Sequence, residues 1–127
     1  VKRLARSFFE RDSTVVAPEL LNKVLVVGDV AARIVEVEAY TQDDAASHSH
    51  RGRTKRNDVM FGPAGRLYVY FIYGMYHCVN IVTGAEGDGQ ALLIRAVTCA
   101  GVDPRRTNGP GKLCKQLGID MALNGAE

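Results

Sequence analysis

LYVYFIYGMYHCVNIV, residues 67–82, is the stretch on which the fold turns. Tyrosines and β-branched residues dominate it, so it reads as extended chain. It is too long for an ordinary single strand. Tyr73-Gly74-Met75 supplies a turn near its middle, which makes the stretch an antiparallel hairpin with Tyr73 at the tip. Downstream, residues 85–89 read as a turn and residues 91–97 (ALLIRAV) as another strand. Upstream, RIVEVEAY at residues 33–40 alternates strictly from Val35 to Tyr40. On a strand, Val35, Val37 and Ala39 then face the core, and Glu36, Glu38 and Tyr40 share the other face. Residues 24–27 (VLVV) suit a buried strand ended by the Gly28-Asp29 turn.

Short helices flank these strands. Residues 4–11 carry Phe8 and Phe9, and residues 17–22 open with Pro18-Glu19, which suits a first helical turn. Residues 110–117 follow Gly109 and stop at Gly118. The order predicts an α+β fold: a single domain with a curved antiparallel β-sheet, a protruding β-hairpin and flanking helices.

The bulk numbers narrow the classes. At 127 residues the chain fits one domain, and 46% hydrophobic with 24% charged residues is ordinary for a globular protein. The net charge of +2 makes any nucleic-acid footprint a local matter. Cys78, Cys99 and Cys114 are an odd, scattered set, read as buried free thiols in a reducing, intracellular compartment, cytoplasmic or nuclear, rather than as a disulfide frame or zinc ribbon. No apolar run reaches the roughly 18 residues of a spanning helix, so no membrane partner is expected. The N-terminal stretch has no signal-peptide core.

Four features could carry chemistry. Glu36 and Glu38 on one strand face offer a general base and a partner, although a solvated strand face is the commoner fate of alternating glutamates. Tyr40 beside them adds a flat surface. Tyr73 at a hairpin tip suits a wedge into stacked bases, or a ring lying back on its own hairpin. Tyr70 could present its ring to a purine, though most strand tyrosines are packing residues. The loop over residues 41–57 ends in Arg51, Arg53, Lys55 and Arg56, a set suited to phosphate contact or to plain solvation. Lys112 follows Gly109-Pro110-Gly111, which lacks the pattern of a Walker loop. His48 and His50 have no third ligand nearby, so no metal is expected. Asn80 and Arg95 lie in strands and require polar partners, with Glu36 and Glu38 available.

The run VEVEAY at residues 35–40, ASHSHRGRTKRN at 46–57, MFGPAGRLYVYFIYGMYHCVNIV at 60–82, LLIRA at 92–96 and GPGKLCKQLGI at 109–119 together resemble the alkyladenine, or methylpurine, DNA glycosylases. The likeness extends from residue 4 to residue 119. It implies a monofunctional base-excision repair hydrolase that removes alkylated or deaminated purines from double-stranded DNA, without a cofactor, and leaves an abasic site. By the matching motifs, Glu38 is implied as the base that activates water, and Arg95 as the arginine near that water. Tyr40, His48 and Tyr70 would enclose the flipped base, and Asn80 would screen its exocyclic groups. Tyr73 would enter the duplex, and Arg51, Arg53, Arg56 and Lys112 would meet the DNA backbone. A monomer is expected. No lysine accompanies Glu38, so hydrolysis rather than Schiff-base chemistry is expected.

Two departures from the family pattern stand out. The segment between Ala96 and Gly109 is short, and the family continues well past Ile119. The domain over residues 1–127 is therefore expected to be shortened at its C-terminus. The alternatives are a non-catalytic module of the same fold that binds damaged DNA, and a hydrolase of free nucleosides, which the hairpin-tip tyrosine argues against.

Overall fold

The computed structural model describes residues 3–41, 52–55, 57–72 and 74–126. Helices α1 (Arg6–Phe9) and α2 (Ser13–Leu20) lead into strands β1 (Val24–Val27) and β2 (Val30–Tyr40). The hairpin strands are β3 (Leu67–Ile72) and β4 (Tyr76–Thr83). Strand β5 (Gln90–Thr98) and helix α3 (Pro110–Leu117) follow. All five strands pair antiparallel in the order β1-β2-β5-β4-β3, and the sheet curls into a half-barrel. The α+β class, the hairpin and the limits of α3 agree with the sequence expectation.

The main core lies on one face of the sheet. Val37 and Ala39 of β2, Val69, Val79 and Ile81 of the hairpin, and Leu92 and Ile94 of β5 meet Leu113, Cys114 and Leu117 of α3 there, with Val16 and Leu20 of α2. A smaller cluster of Met60, Phe61, Tyr68, Val82 and Ala91 occupies the other face, with Tyr40 and Tyr70 resting on it.

Strict alternation of β2 breaks at Val35, which is 42% exposed. Ile34 pairs with Val97 and Val37 with Ile94, but between them Glu36 faces Ala96, and neither Val35 nor Arg95 has a partner in register. Each strand thus carries an extra outward residue at the same level. The doubled irregularity keeps Ile34 and Val97 in the core along with Val37 and Ile94, while Glu36 and Arg95 both point away from it. The inward placement predicted for Val35 fails for this reason, whereas that for Val37 and Ala39 holds.

Strand β1 is also corrected. It is a sheet edge rather than a buried strand, with Val24 48% and Val26 60% exposed. The opposite edge, β3, is covered by residues 124–126: Leu67 donates to Ala126 O at 2.7 Å, Gly125 to Leu67 O at 2.8 Å, and Val69 to Asn124 Oδ1 at 2.9 Å.

Helix α2 starts four residues earlier than Pro18 suggested. Asp12 is the N-cap, its carboxylate accepting from the Thr14 amide at 2.9 Å and the Thr14 hydroxyl at 2.6 Å. Pro18 sits inside the helix instead of opening it. The Thr14 hydroxyl, and then its amide, hold the Asp12 carboxyl below its ordinary value of 3.8. A lowered carboxyl adds stability above the ordinary carboxylate range and loses it as pH falls through the lowered value. Asp12→Ala is expected to cost about 1 kcal/mol at neutral pH. The loss should shrink in acid below the lowered value, as measured by urea unfolding. An equal loss at both pH values would contradict the cap.

Candidate active site

The pairing registers place the candidate residues in rows. Glu38 of β2 lies opposite Leu93 of β5, Leu93 opposite Asn80 of β4, and Asn80 opposite Tyr68 of β3. One row away, Tyr40 pairs with Ala91 and Ala91 with Val82. On the other side of that central row, Tyr70 pairs with Cys78 on the hairpin, and Glu36 and Arg95 meet across β2 and β5. Strand alternation therefore puts Glu36, Glu38, Tyr40, Tyr70, Asn80 and Arg95 on one face, opposite the main core.

Curvature brings the ends of these rows together. A flat sheet would hold β2 and β3 about 14 Å apart, three strand spacings. Tyr40 and Tyr70 nevertheless rest on the same small cluster.

Glu38 is held at both oxygens. The Tyr40 hydroxyl donates to Oε1, and Arg95 Nη1 donates to Oε2 at 3.4 Å. The same guanidinium places Nε 3.5 Å from Glu36 Oε2. Arg95 is itself fixed through its backbone. The β4–β5 ladder covers Asn80–Thr83 against Gln90–Leu93, and beyond it α3 packs against β4. The Gly109 amide, immediately before α3, donates to Arg95 O at 2.8 Å, and the Val97 amide donates to Thr107 O at 3.1 Å. Gly111 makes this fit possible: a Cβ there would lie 2.7 Å from the Tyr76 ring.

The rest of the face is tyrosine, amide and thiol. Asn80 is buried, and its Nδ2 donates to Tyr68 O at 3.2 Å. The Tyr68 and Tyr70 rings lie 5.5 Å apart, tilted by 42°. Tyr70 lies directly opposite Cys78 in the hairpin register. Burial, then the nearby Cys78, push the Tyr70 phenol well above its ordinary range. Burial also pushes up the Cys78 thiol, and that of Cys114 to about 12. These groups stay protonated at neutral pH, so none supplies an anionic nucleophile. Among the described residues, the ionic chemistry of this face belongs to Glu36, Glu38 and Arg95.

The sheet brings Tyr40, Glu38, Arg95, Asn80 and Tyr70 to one face. Arg53 pairs instead with Asp58, and Lys112 is exposed at the start of α3. His48, His50, Arg51, Arg56 and Tyr73 lie outside the described residues. Among the described residues no group of three His, Cys, Asp or Glu side chains could hold a metal. Sequence reasoning overlooked Cys78. Its pairing with Tyr70 was available, because a hairpin turning at 73–75 aligns 72 with 76 and 70 with 78.

The sequence profile of the methylpurine-DNA glycosylase (MPG) family matches residues 7–127. A relative from Rickettsia felis is 54% identical over 122 residues, 95% of this chain and 69% of its own length. One from Methanoculleus marisnigri is 53% identical, covering 96% and 71%, and one from Legionella pneumophila strain Lens is 54% identical, covering 98% and 70%. All three carry the provisional name 3-methyladenine DNA glycosylase. The chain belongs to the methylpurine-DNA glycosylase family. It is accordingly a DNA glycosylase, a hydrolase.

Asn80→Ala removes the amide that satisfies the Tyr68 carbonyl in a buried setting. It is expected to cost about 1–3 kcal/mol, read from the urea midpoint. No change would show that this bond contributes nothing to the floor of the site.

Proposed function

We propose that this chain excises damaged purines, 3-methyladenine among them, from duplex DNA by a single hydrolytic step on a flipped nucleotide. The observation that carries the proposal is Glu38, gripped between the Tyr40 hydroxyl and Arg95 on a face floored by Leu93, Asn80 and Tyr68. A carboxylate so held has a fixed direction, which general-base catalysis requires.

The chemistry follows from the substrate. An alkylated purine is electron-poor or cationic, so it departs readily with the electrons of the N-glycosidic bond. Tyrosine ring faces at Tyr40 and Tyr70 favour such a ring by cation–π attraction. As the bond stretches, positive charge develops at the sugar, and the Glu38 carboxylate stabilises it. Water adds to the anomeric carbon, Glu38 takes its proton, and an abasic site remains. No lysine accompanies Glu38 in its sequence motif to divert the reaction into Schiff-base chemistry.

Flipping a base out of the stack costs a few kcal/mol. In this proposal Tyr73 fills the gap, His48 helps enclose the base, and Arg51, Arg53, Arg56 and Lys112 grip the backbone. Asn80 excludes purines whose exocyclic groups do not fit.

Duplex oligonucleotides carrying hypoxanthine or ethenoadenine, incubated with the chain and then treated with hot alkali, test the proposal. Strand breaks at the damaged base are expected, with Glu38→Gln slower by about 100-fold or more. Equal breakage by Glu38→Gln, or none by either protein, would contradict it. Tight binding without breakage, lost in Tyr73→Ala, would indicate a damage-binding module instead. Equal cleavage of free nucleosides would indicate a nucleoside hydrolase.

A further inference from the structure

We propose that Glu36 is a positioning residue that keeps Arg95 from closing on Glu38 as a two-pronged ion pair. This inference rests on the water-activating role proposed for Glu38. Arginine and a carboxylate left to themselves favour a fork of two parallel N–H bonds. Here the fork is divided: Nε faces Glu36 Oε2 at 3.5 Å, and Nη1 faces Glu38 Oε2 at 3.4 Å.

The division matters because Glu38 has few free lone pairs. Tyr40 occupies Oε1. With Tyr40 on Oε1, a two-pronged Arg95 would fill that oxygen and leave a single lone pair, on Oε2, for water. With Nε held by Glu36, Arg95 touches Oε2 through one nitrogen, and a lone pair on each oxygen remains for the proton of water. Charge points the same way. Two carboxylates share one guanidinium, so the group keeps a net negative charge facing the sugar on which positive charge develops.

The backbone is built for this arrangement. Only the doubled irregularity of β2 and β5 puts Glu36 and Arg95 outward at one level while Ile34 and Val97 stay in the core. The Gly109 amide on Arg95 O fixes the base of the arginine. The Glu36 side chain is 58% exposed and belongs to neither apolar cluster, so its removal leaves the packing untouched.

The test is Glu36→Gln, measured alone and with Arg95→Ala. Single-turnover excision by Glu36→Gln is expected to slow by about ten- to a hundred-fold, as for a misplaced catalytic group, while affinity for the damaged duplex is not reduced. Glu36→Gln should add no further loss to Arg95→Ala, because it acts through that arginine. Three results would overturn the inference: a rate within two-fold of the unsubstituted chain, a matching loss of duplex affinity, or an undiminished effect in the Arg95→Ala background. A second readout needs no turnover. The Arg95 Nε–H proton of the free protein should exchange with solvent several-fold faster in Glu36→Gln, and an unchanged exchange rate overturns the inference. If Glu38→Gln abolishes excision while Glu36→Gln leaves it intact, the inference about Glu36 fails and the function stands. If the unsubstituted chain cleaves nothing, the function fails and the exchange rate alone decides on Glu36.

Discussion

The paired break in β2 and β5 governs both sides of the sheet. A strand with unbroken alternation would have to choose between core and site. If Val37 and Ile94 faced inward, Ile34 and Val97 would be expelled to the side of Glu36 and Arg95. One extra residue on each strand at the same level resolves the conflict. Four core side chains stay together, and the acidic and basic groups are delivered to the other face. The cost is local, an exposed Val35 and an interrupted ladder, and the backbone of Arg95 is tied instead to the segment leading into α3.

Curvature does the second part of the work. Five strands curled into a half-barrel bring Tyr40, from one side of the sheet, toward Tyr70, from the edge hairpin. Between them lies a floor of Leu93, Asn80 and Tyr68, buried and held by the Asn80 amide on a backbone carbonyl. In the proposed reaction a flat, electron-poor ring meets tyrosine faces and a shape-defining amide there, with the anchored Glu38 carboxylate at its sugar end. These are the elements expected of a hydrolase that recognises its substrate by the leaving group.

Much of this was legible in the residues. The tyrosine-rich run with Gly74 near its middle specified the hairpin, and Gly109 and Gly118 bracketed α3, whose final glycine adopts the left-handed conformation with φ of 70°. Alternation correctly grouped Glu36, Glu38 and Tyr40. It failed at Val35 because a bulge changes which parity faces inward. The adjacent apolar pair Ile34-Val35, and the change of inward parity from Leu92 and Ile94 to Val97, were its only traces in sequence. An apolar run such as VLVV does not reveal whether neighbours cover it, so β1 was misjudged as buried. Pro18 masked the true start of α2, where Asp12 and Thr14 form the cap. The roles of Glu38 and Arg95 came from the family resemblance, and spacing alone left a solvated strand face as the commoner outcome.

In the proposed reaction the anchored carboxylate of Glu38 faces the sugar of a flipped purine. The most direct test is a crystal structure of the Glu38→Gln chain bound to duplex DNA carrying ethenoadenine. The damaged base is expected outside the helix, lying against Tyr40 and Tyr70, with a water between residue 38 and the anomeric carbon. A damaged base still stacked in the duplex, or a flipped sugar turned away from residue 38, would contradict it.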